Sequence, residues 1–170
     1  MSTPIAVDHL IAGVLDDVAV REARVSFQDI KARSRSMSEP RDVRAALLRQ
    51  GCSVITEIKR AVPYAGEIAH LASPESVAQM AAQLAATGVH LMACQTDRRR
   101  FHGSLEDMRQ ARAAIDIPMI CRDIIVDPYQ IHEARCYGAD AVPLQVEILE
   151  QARLEALLDR IESLGMTAIL

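Results

Sequence analysis

Glu57 and Lys59 stand two residues apart in the apolar run 53–59, so on a strand their side chains share one face. A carboxylate and an amine held together in this way can bind charge and manage protons. The plainer alternative is a structural ion pair lining an interior. The chain carries seventeen arginines and only two lysines, Lys31 and Lys59, which favours a functional reading of the second.

Strands and helices in alternation have to position that pair. Strand-like runs fall at 53–58, 90–95, 118–122, 139–144 and 166–170, separated by helical segments. Ser73-Pro74 supplies an N-cap with proline at the first helical position, Ser104 with Asp107 a capping box, and Asp127-Pro128 with Gln130 both signals. Gly88, Gly138 and Gly165 fall where helices should end, each followed by a strand, which is the joint expected of a parallel sheet. The segment 147–164 reads as a helix burying Leu154, Leu157, Leu158 and Ile161.

Ahead of the first strand, Val7, Leu10, Ile11, Val14, Leu15 and Val18 recur at helical spacing, and Val43, Ala46 and Leu47 repeat the pattern. The chain therefore divides into a helical extension, 1–50, and a βα portion, 51–170. Sequential strands without a glycine-rich dinucleotide fingerprint favour a barrel over a doubly wound sheet. A complete eight-stranded barrel needs about 250 residues. The expected fold is α/β, the first half of a (β/α)8 TIM barrel, with about four βα units plus a fifth strand behind an N-terminal helical extension.

Composition excludes several function classes. A net charge of −4, a pI near 5.7, scattered basic residues and five aromatics give no footprint for nucleic acid. Half the residues are hydrophobic and a quarter charged, as expected of one soluble domain. Arg98, Arg99 and Arg100 form the one basic run and are expected in a solvated loop rather than an anion site. No signal-peptide pattern and no stretch long enough for a membrane span are read, so a cytoplasmic protein is expected. Cys52, Cys94, Cys121 and Cys136 show no CxxC spacing and are expected as reduced, mostly buried thiols. His9, His70, His90, His102 and His132 have no metal spacing, so no metal site is expected.

Several pieces then fall in a recognisable order: Glu57-Ile58-Lys59-Arg60 with Pro63 and Gly66, Phe101-His102-Gly103-Ser104, Arg122-Asp123-Ile124-Ile125-Val126-Asp127-Pro128-Tyr129-Gln130, Glu133-Ala134-Arg135, and Gly138-Ala139-Asp140-Ala141-Val142. In order and spacing they resemble indole-3-glycerol phosphate synthase, from about Val14 to the end of the sequence. The resemblance implies a tryptophan-biosynthesis enzyme that closes the indole ring of a carboxyphenylamino-deoxyribulose phosphate, losing carbon dioxide and water without a cofactor. It places Lys59 on the substrate carboxylate, Glu57 in the surrounding charge network and residue 122 in the general-acid position. The helical extension looks like that family's cap over the barrel mouth.

The sequence also departs from the family pattern. Arg122 replaces the lysine of the acid position, and a guanidinium stabilises negative charge without giving up a proton near neutral pH. An ion pair of Arg122 with Glu57 or Asp123 is the other reading of that side chain. Ile124 replaces the usual aromatic, Val62 the usual serine, and Tyr64-Ala65 the usual Ser-Lys. Glu57, Lys59 and Arg122 are the expected catalytic residues, and Val62, Phe101, Ile124 and Leu144 the expected substrate contacts. Phe101 alternatively packs under the cap.

The expected partners are a phosphosugar-anthranilate substrate and either a second copy or a complementary half-barrel chain that closes the sheet. The 170-residue chain by itself is expected to be weak or inactive. A non-catalytic barrel homologue, kept as a binding or regulatory subunit, is the alternative.

Overall fold

The computed structural model describes residues 4–170. The N-terminal portion forms three helices, α1 (Pro4–Glu22), α2 (Phe27–Arg35) and α3 (Val43–Leu47). Strand β1 (Ile55–Ile58) leads into a small antiparallel hairpin, β2 (Ala61–Val62) with β3 (Gly66–Glu67). There follow α4 (Pro74–Ala86), β4 (Leu91–Gln95), α5 (Arg98–Phe101), α6 (Leu105–Ala113), β5 (Met119–Arg122), α7 (Pro128–Cys136), β6 (Ala141–Pro143), α8 (Gln151–Ser163) and β7 (Thr167–Ile169). The sheet runs β1-β4-β5-β6-β7 with every neighbouring pair parallel, the arrangement of a partial (β/α)8 barrel.

Register assigns each strand residue to a face. Ile55, Leu91, Ala93, Ile120 and Ala141 are linked through paired positions and line the concave face, while Ile58, Met92, Cys94, Met119, Cys121 and Val142 point to the helices. The convex face carries the main core, closed by Val77 and Ala81 of α4, Met108 and Ala111 of α6, Ile131 and Ala134 of α7, and Leu157 and Ile161 of α8. Strands buried on both faces explain why the runs read as continuously apolar.

Helix punctuation is read largely as the sequence implies. Ser73 and Asp127 each form a reciprocal capping box, with Ser76 and Gln130. Ser104 accepts from Asp107 N–H at 3.0 Å, but the reciprocal half is missing because the Asp107 carboxylate receives Arg60 at 2.8 and 2.7 Å. Gly88, Gly138 and Gly165 have φ of 84°, 97° and 72°. Gly138 also lacks room, since a Cβ there would lie 2.6 Å from Arg112 Cγ.

The N-terminal helices run along the barrel from mouth to floor. Val14 and Val18 of α1 bury against Val126 and Tyr129, with Ile11 alongside, whereas Leu15 remains 41% exposed, so the apolar stripe is narrower than its spacing suggests. Helix α2 packs on α7. At the floor, Val43 of α3 plugs the concave face against Leu91, Ile120 and Ala141. Asp140, fully buried, accepts Arg41 N–H and Met119 N–H, both at 2.8 Å, and pairs with Arg112.

Arg98, Arg99 and Arg100 differ from expectation. They form the short helix α5 rather than a loop, because Asp97 caps its first turn, accepting Arg100 N–H at 2.9 Å, while Arg98 and Arg99 are exposed as expected. Arg100 folds back on Asp97, and Arg99 pairs with Asp17 of α1. Among the cysteines, Cys94 and Cys121 are buried, Cys136 is half-buried and Cys52 is exposed, all as free thiols. Burial pushes the Cys121 thiol up to about 12, so it is a packing residue. Among the described residues, no helix is long and apolar enough to cross a membrane.

Candidate active site

The C-terminal ends of β1 and β5 carry the charged residues that the sequence singles out. Glu57 lies on the concave face in register with Ala93 of β4, and Arg122 in register with Gln95. Strand β4 therefore lies between the two, with Ala93 beside Glu57 and Gln95 beside Arg122 on the concave face. Arg122 Nε reaches Glu57 Oε1 at 3.7 Å, while Lys59 Nζ lies 3.0 Å from Glu57 Oε2. One carboxylate thus serves two cations, one on each oxygen. Of the two partners left open for Arg122, the structure gives Glu57.

These side chains are neither sealed nor free, with 23% of Lys59, 29% of Glu57 and 44% of Arg122 exposed. The trio carries one net positive charge. Its ammonium and guanidinium keep donors unused by Glu57, so a carboxylate or phosphate arriving at the mouth would find both charge and hydrogen bonds. The Phe101 ring centroid lies 5.4 Å from Lys59 Nζ, within range of a cation–π contact. Phe101 therefore joins the charged group rather than packing beneath the N-terminal helices. Val62 lies on β2, against which α5 packs.

Ile124 and Leu144 do not join this group. Strand β5 ends at Arg122, and the turn after it sends Ile124 against the cluster of Val14, Val18 and Val126 under α1. Leu144 follows Val142 by two residues and shares its side, so it sits at 3% exposure in the convex core. Alternation on β6 puts Pro143 on the concave face instead.

Of the other residues at the mouth, Thr96 and Gln145 fall in none of the recognisable sequence pieces, whereas Asp123 falls in one of them. Thr96 and Asp123 each follow the register pair Gln95–Arg122, and Thr96 Oγ1 donates to Asp123 Oδ2 at 2.7 Å. Burial raises the Asp123 carboxyl above the usual range, opposed by the Thr96 hydroxyl and by Ile124 N–H at 2.8 Å. Gln145 Nε2 donates to Asp123 O at 3.3 Å and ties the end of β6 to that of β5. The sequence signal for Thr96 and Asp123 is positional: each is the first residue beyond a strand end.

Gly103 fixes the loop that brings Phe101 to Lys59. A Cβ there would stand 2.0 Å from Gln95 O, so only glycine lets the chain pass β4 this closely. His102, before it, is in the left-handed region at φ 54°.

Residues 7–170 match the family model described as Indole-3-glycerol phosphate synthase. The chain belongs to the indole-3-glycerol phosphate synthase family. It is 51% identical over 162 residues to the indole-3-glycerol phosphate synthase of Saccharopolyspora erythraea, covering 95% of this chain and 59% of the relative. Against that of Mycolicibacterium gilvum it is 48% identical over 169 residues, covering 99% of this chain and 61% of the relative. The chain thus spans about three-fifths of the length of these relatives. Among solved structures, an N-acetylmannosamine-6-phosphate 2-epimerase from Clostridium perfringens aligns with a TM-score of 0.51 at 13% identity, over 78% of this chain and 58% of the other, a likeness of fold.

Proposed function

We propose that this chain supplies the first part of an indole-3-glycerol phosphate synthase site, in which Lys59 binds the carboxylate of carboxyphenylamino-deoxyribulose 5-phosphate and Glu57 holds Lys59 and Arg122 in place. The observation that carries the reading is the Lys59–Glu57–Arg122 group, with contacts of 3.0 and 3.7 Å, at the strand ends where barrel enzymes keep their chemistry. In the reaction, the ring carbon that bears the carboxylate bonds to the ketone carbon. The carboxylate leaves as carbon dioxide, and the former ketone oxygen, once protonated, leaves as water while the neighbouring methylene carbon gives up a proton to form the ring double bond. Arg122 is suited to stabilise negative charge on that oxygen but not to protonate it. Phe101 and Val62 form the adjoining apolar wall.

Closure of the barrel belongs to the same proposal. Among the described residues, β1 and β7 each pair on one side, and Val54, Ile55 and Leu170 are exposed nearby. A groove of about 640 Å³ runs along β7 between α3 and α8, lined by Leu47, Leu48, Leu158 and Leu170. Unpaired edges and apolar grooves are relieved by pairing. A complementary half-barrel is the partner proposed, and a second copy of this chain is the other outcome of a light-scattering measurement.

The non-catalytic alternative is favoured by one observation: the acid position holds a guanidinium already paired with Glu57. The test is ring closure, followed by indole fluorescence, in the chain completed with the C-terminal part of a relative. Arg122→Lys is expected to raise turnover about a hundredfold, the lower range of a general-acid contribution. A folded, completed Arg122→Lys protein without turnover would favour the binding subunit.

A further inference from the structure

Lys59 is held on one side by Glu57 and on the other by the Phe101 ring, and that ring sits on a helix of four residues. So short a helix has no stability of its own. Its position comes from its attachments. Asp97 fixes the start, accepting Arg100 N–H at 2.9 Å, and Gly103 fixes the end, donating its N–H to Asp97 O at 3.0 Å where a side chain would strike Gln95 O.

With both ends pinned, the helix can still roll about the line joining them, which would carry Phe101 toward or away from Lys59. A third contact opposes the roll. Arg99, two residues before Phe101, donates Nε and Nη2 to the two carboxylate oxygens of Asp17 on α1, each at 2.6 Å. The guanidinium lies across Gly13, one turn earlier on α1, with Nη1 3.5 Å from where a Cβ would stand. A two-pronged contact of this kind fixes orientation as well as distance. Helix α1 is anchored independently, through Arg21 to Glu133 of α7 at 2.8 and 3.0 Å and through the burial of Val14 and Val18.

We propose that Asp17 and Arg99 are positioning residues for Lys59: their ion pair ties α1 to α5 and keeps the Phe101 ring over the ammonium. The proposal rests on the reading of Lys59 as a site residue but depends on no turnover. It gives helix α1 a role at the mouth. A pair with 53% and 37% of its side chains exposed adds little to stability, so its removal should move the ring without unfolding the chain.

The two-lysine composition makes this measurable. Reductive methylation with labelled formaldehyde keeps the charge and gives dimethyl signals from Lys31, Lys59 and the N-terminal amine of the 170-residue chain. In the wild type the Lys59 signal should be displaced upfield by the ring, and Phe101→Leu should abolish the displacement and so assign it. Asp17→Asn should remove most of that displacement while leaving Lys31, 6.0 Å from the Phe27 ring, where it was. Exchanging the charges, Asp17→Arg with Arg99→Asp, should restore it.

An undisplaced Lys59 signal in the wild type, an unchanged signal in Asp17→Asn, or a charge exchange that restores nothing would each overturn the proposal. Should Asp17→Asn disturb both lysine signals together, the charge exchange decides: restoration supports the tie, and its absence defeats it. Failure of ring closure in the completed barrel would sink the catalytic reading and leave these signals unmoved, so the two are separable.

Discussion

The floor and the mouth of this barrel are both organised around a single carboxylate, and they treat it in opposite ways. At the floor, Asp140 is fully buried, accepts two backbone N–H groups and pairs with Arg112. The Arg41 side chain beside it is spent on Ile117 O and Asp116. At the mouth, Glu57 keeps 29% of its side chain exposed and receives two cations that retain unused donors. A charge with every partner supplied by the protein locks a structure, whereas a charge whose partners still have donors to give can take a ligand. Burial and completeness of partners, more than residue type, separate the two roles.

The largest effect on stability should therefore lie at the floor. Asp140→Ala strands Arg112 and two buried N–H groups and should cost about 3–5 kcal/mol, read from urea denaturation. Glu57→Gln at the mouth should stay within about 1 kcal/mol in the same experiment, because its pairs are partly solvated. Equal losses at the two sites would erase the distinction.

Activity should reverse the ranking. In the completed barrel, Lys59→Met should lower kcat/KM for ring closure about a hundredfold or more while unfolding at nearly the wild-type urea concentration. A Lys59→Met protein that turns over normally would reduce the mouth cluster to a structural ion pair.

Between the two ends, His132 of α7 supplies a contrast in pH. It is fully buried, its Nδ1 lies 2.7 Å from Ser34 Oγ, and the Phe27 ring meets it edge-on at 5.4 Å. Burial, with Arg160 of α8 and Lys31 and Arg35 of α2 adding repulsion, lowers its pKa to about 4. The folded chain therefore binds this proton less readily than the unfolded one. Its stabilising contribution is complete above the unfolded value of about 6.5 and is lost as the pH falls toward 4, at up to about 1.4 kcal/mol per pH unit. His132→Leu should flatten that part of the profile. An unchanged difference between pH 7 and pH 5 would mean that the imidazole takes up its proton alike in the folded and unfolded chains, and burial would not be lowering its pKa.

What was legible in the sequence follows the same division. The five parallel strands, the proline-marked helix starts and the glycine joints are local signals, and they fall within a residue or two of the observed elements. Glu57 and Lys59 meet as their spacing suggested, Arg122 joins them through one of its two open pairings, and Phe101 joins them instead of packing under the cap. Leu144 and Ile124 do not, because their placement depends on where β6 and β5 end, and a difference of one residue changes the face. The Asp17–Arg99 tie spans 82 positions and Arg41–Asp140 spans 99, distances over which no local pattern carries information. The helix α5 was hidden by the reading of three arginines as a solvated run, although Asp97 before them is an N-cap residue.

The smallest effect tests the half-made cap at Ser104, close to the mouth. Its hydroxyl accepts one N–H of α6, and Ser104→Ala should cost about 1 kcal/mol. Asp107 in the same turn does not complete the box, because its carboxylate is taken by Arg60, the residue next to Lys59. Asp107→Asn should therefore exceed Ser104→Ala in cost, since it weakens a charged bidentate contact at a side chain with 6% exposure. If the order were reversed, the single cap bond of Ser104 would outweigh the Asp107 contact, and Arg60 would be held chiefly by its other donation, to Leu71 O.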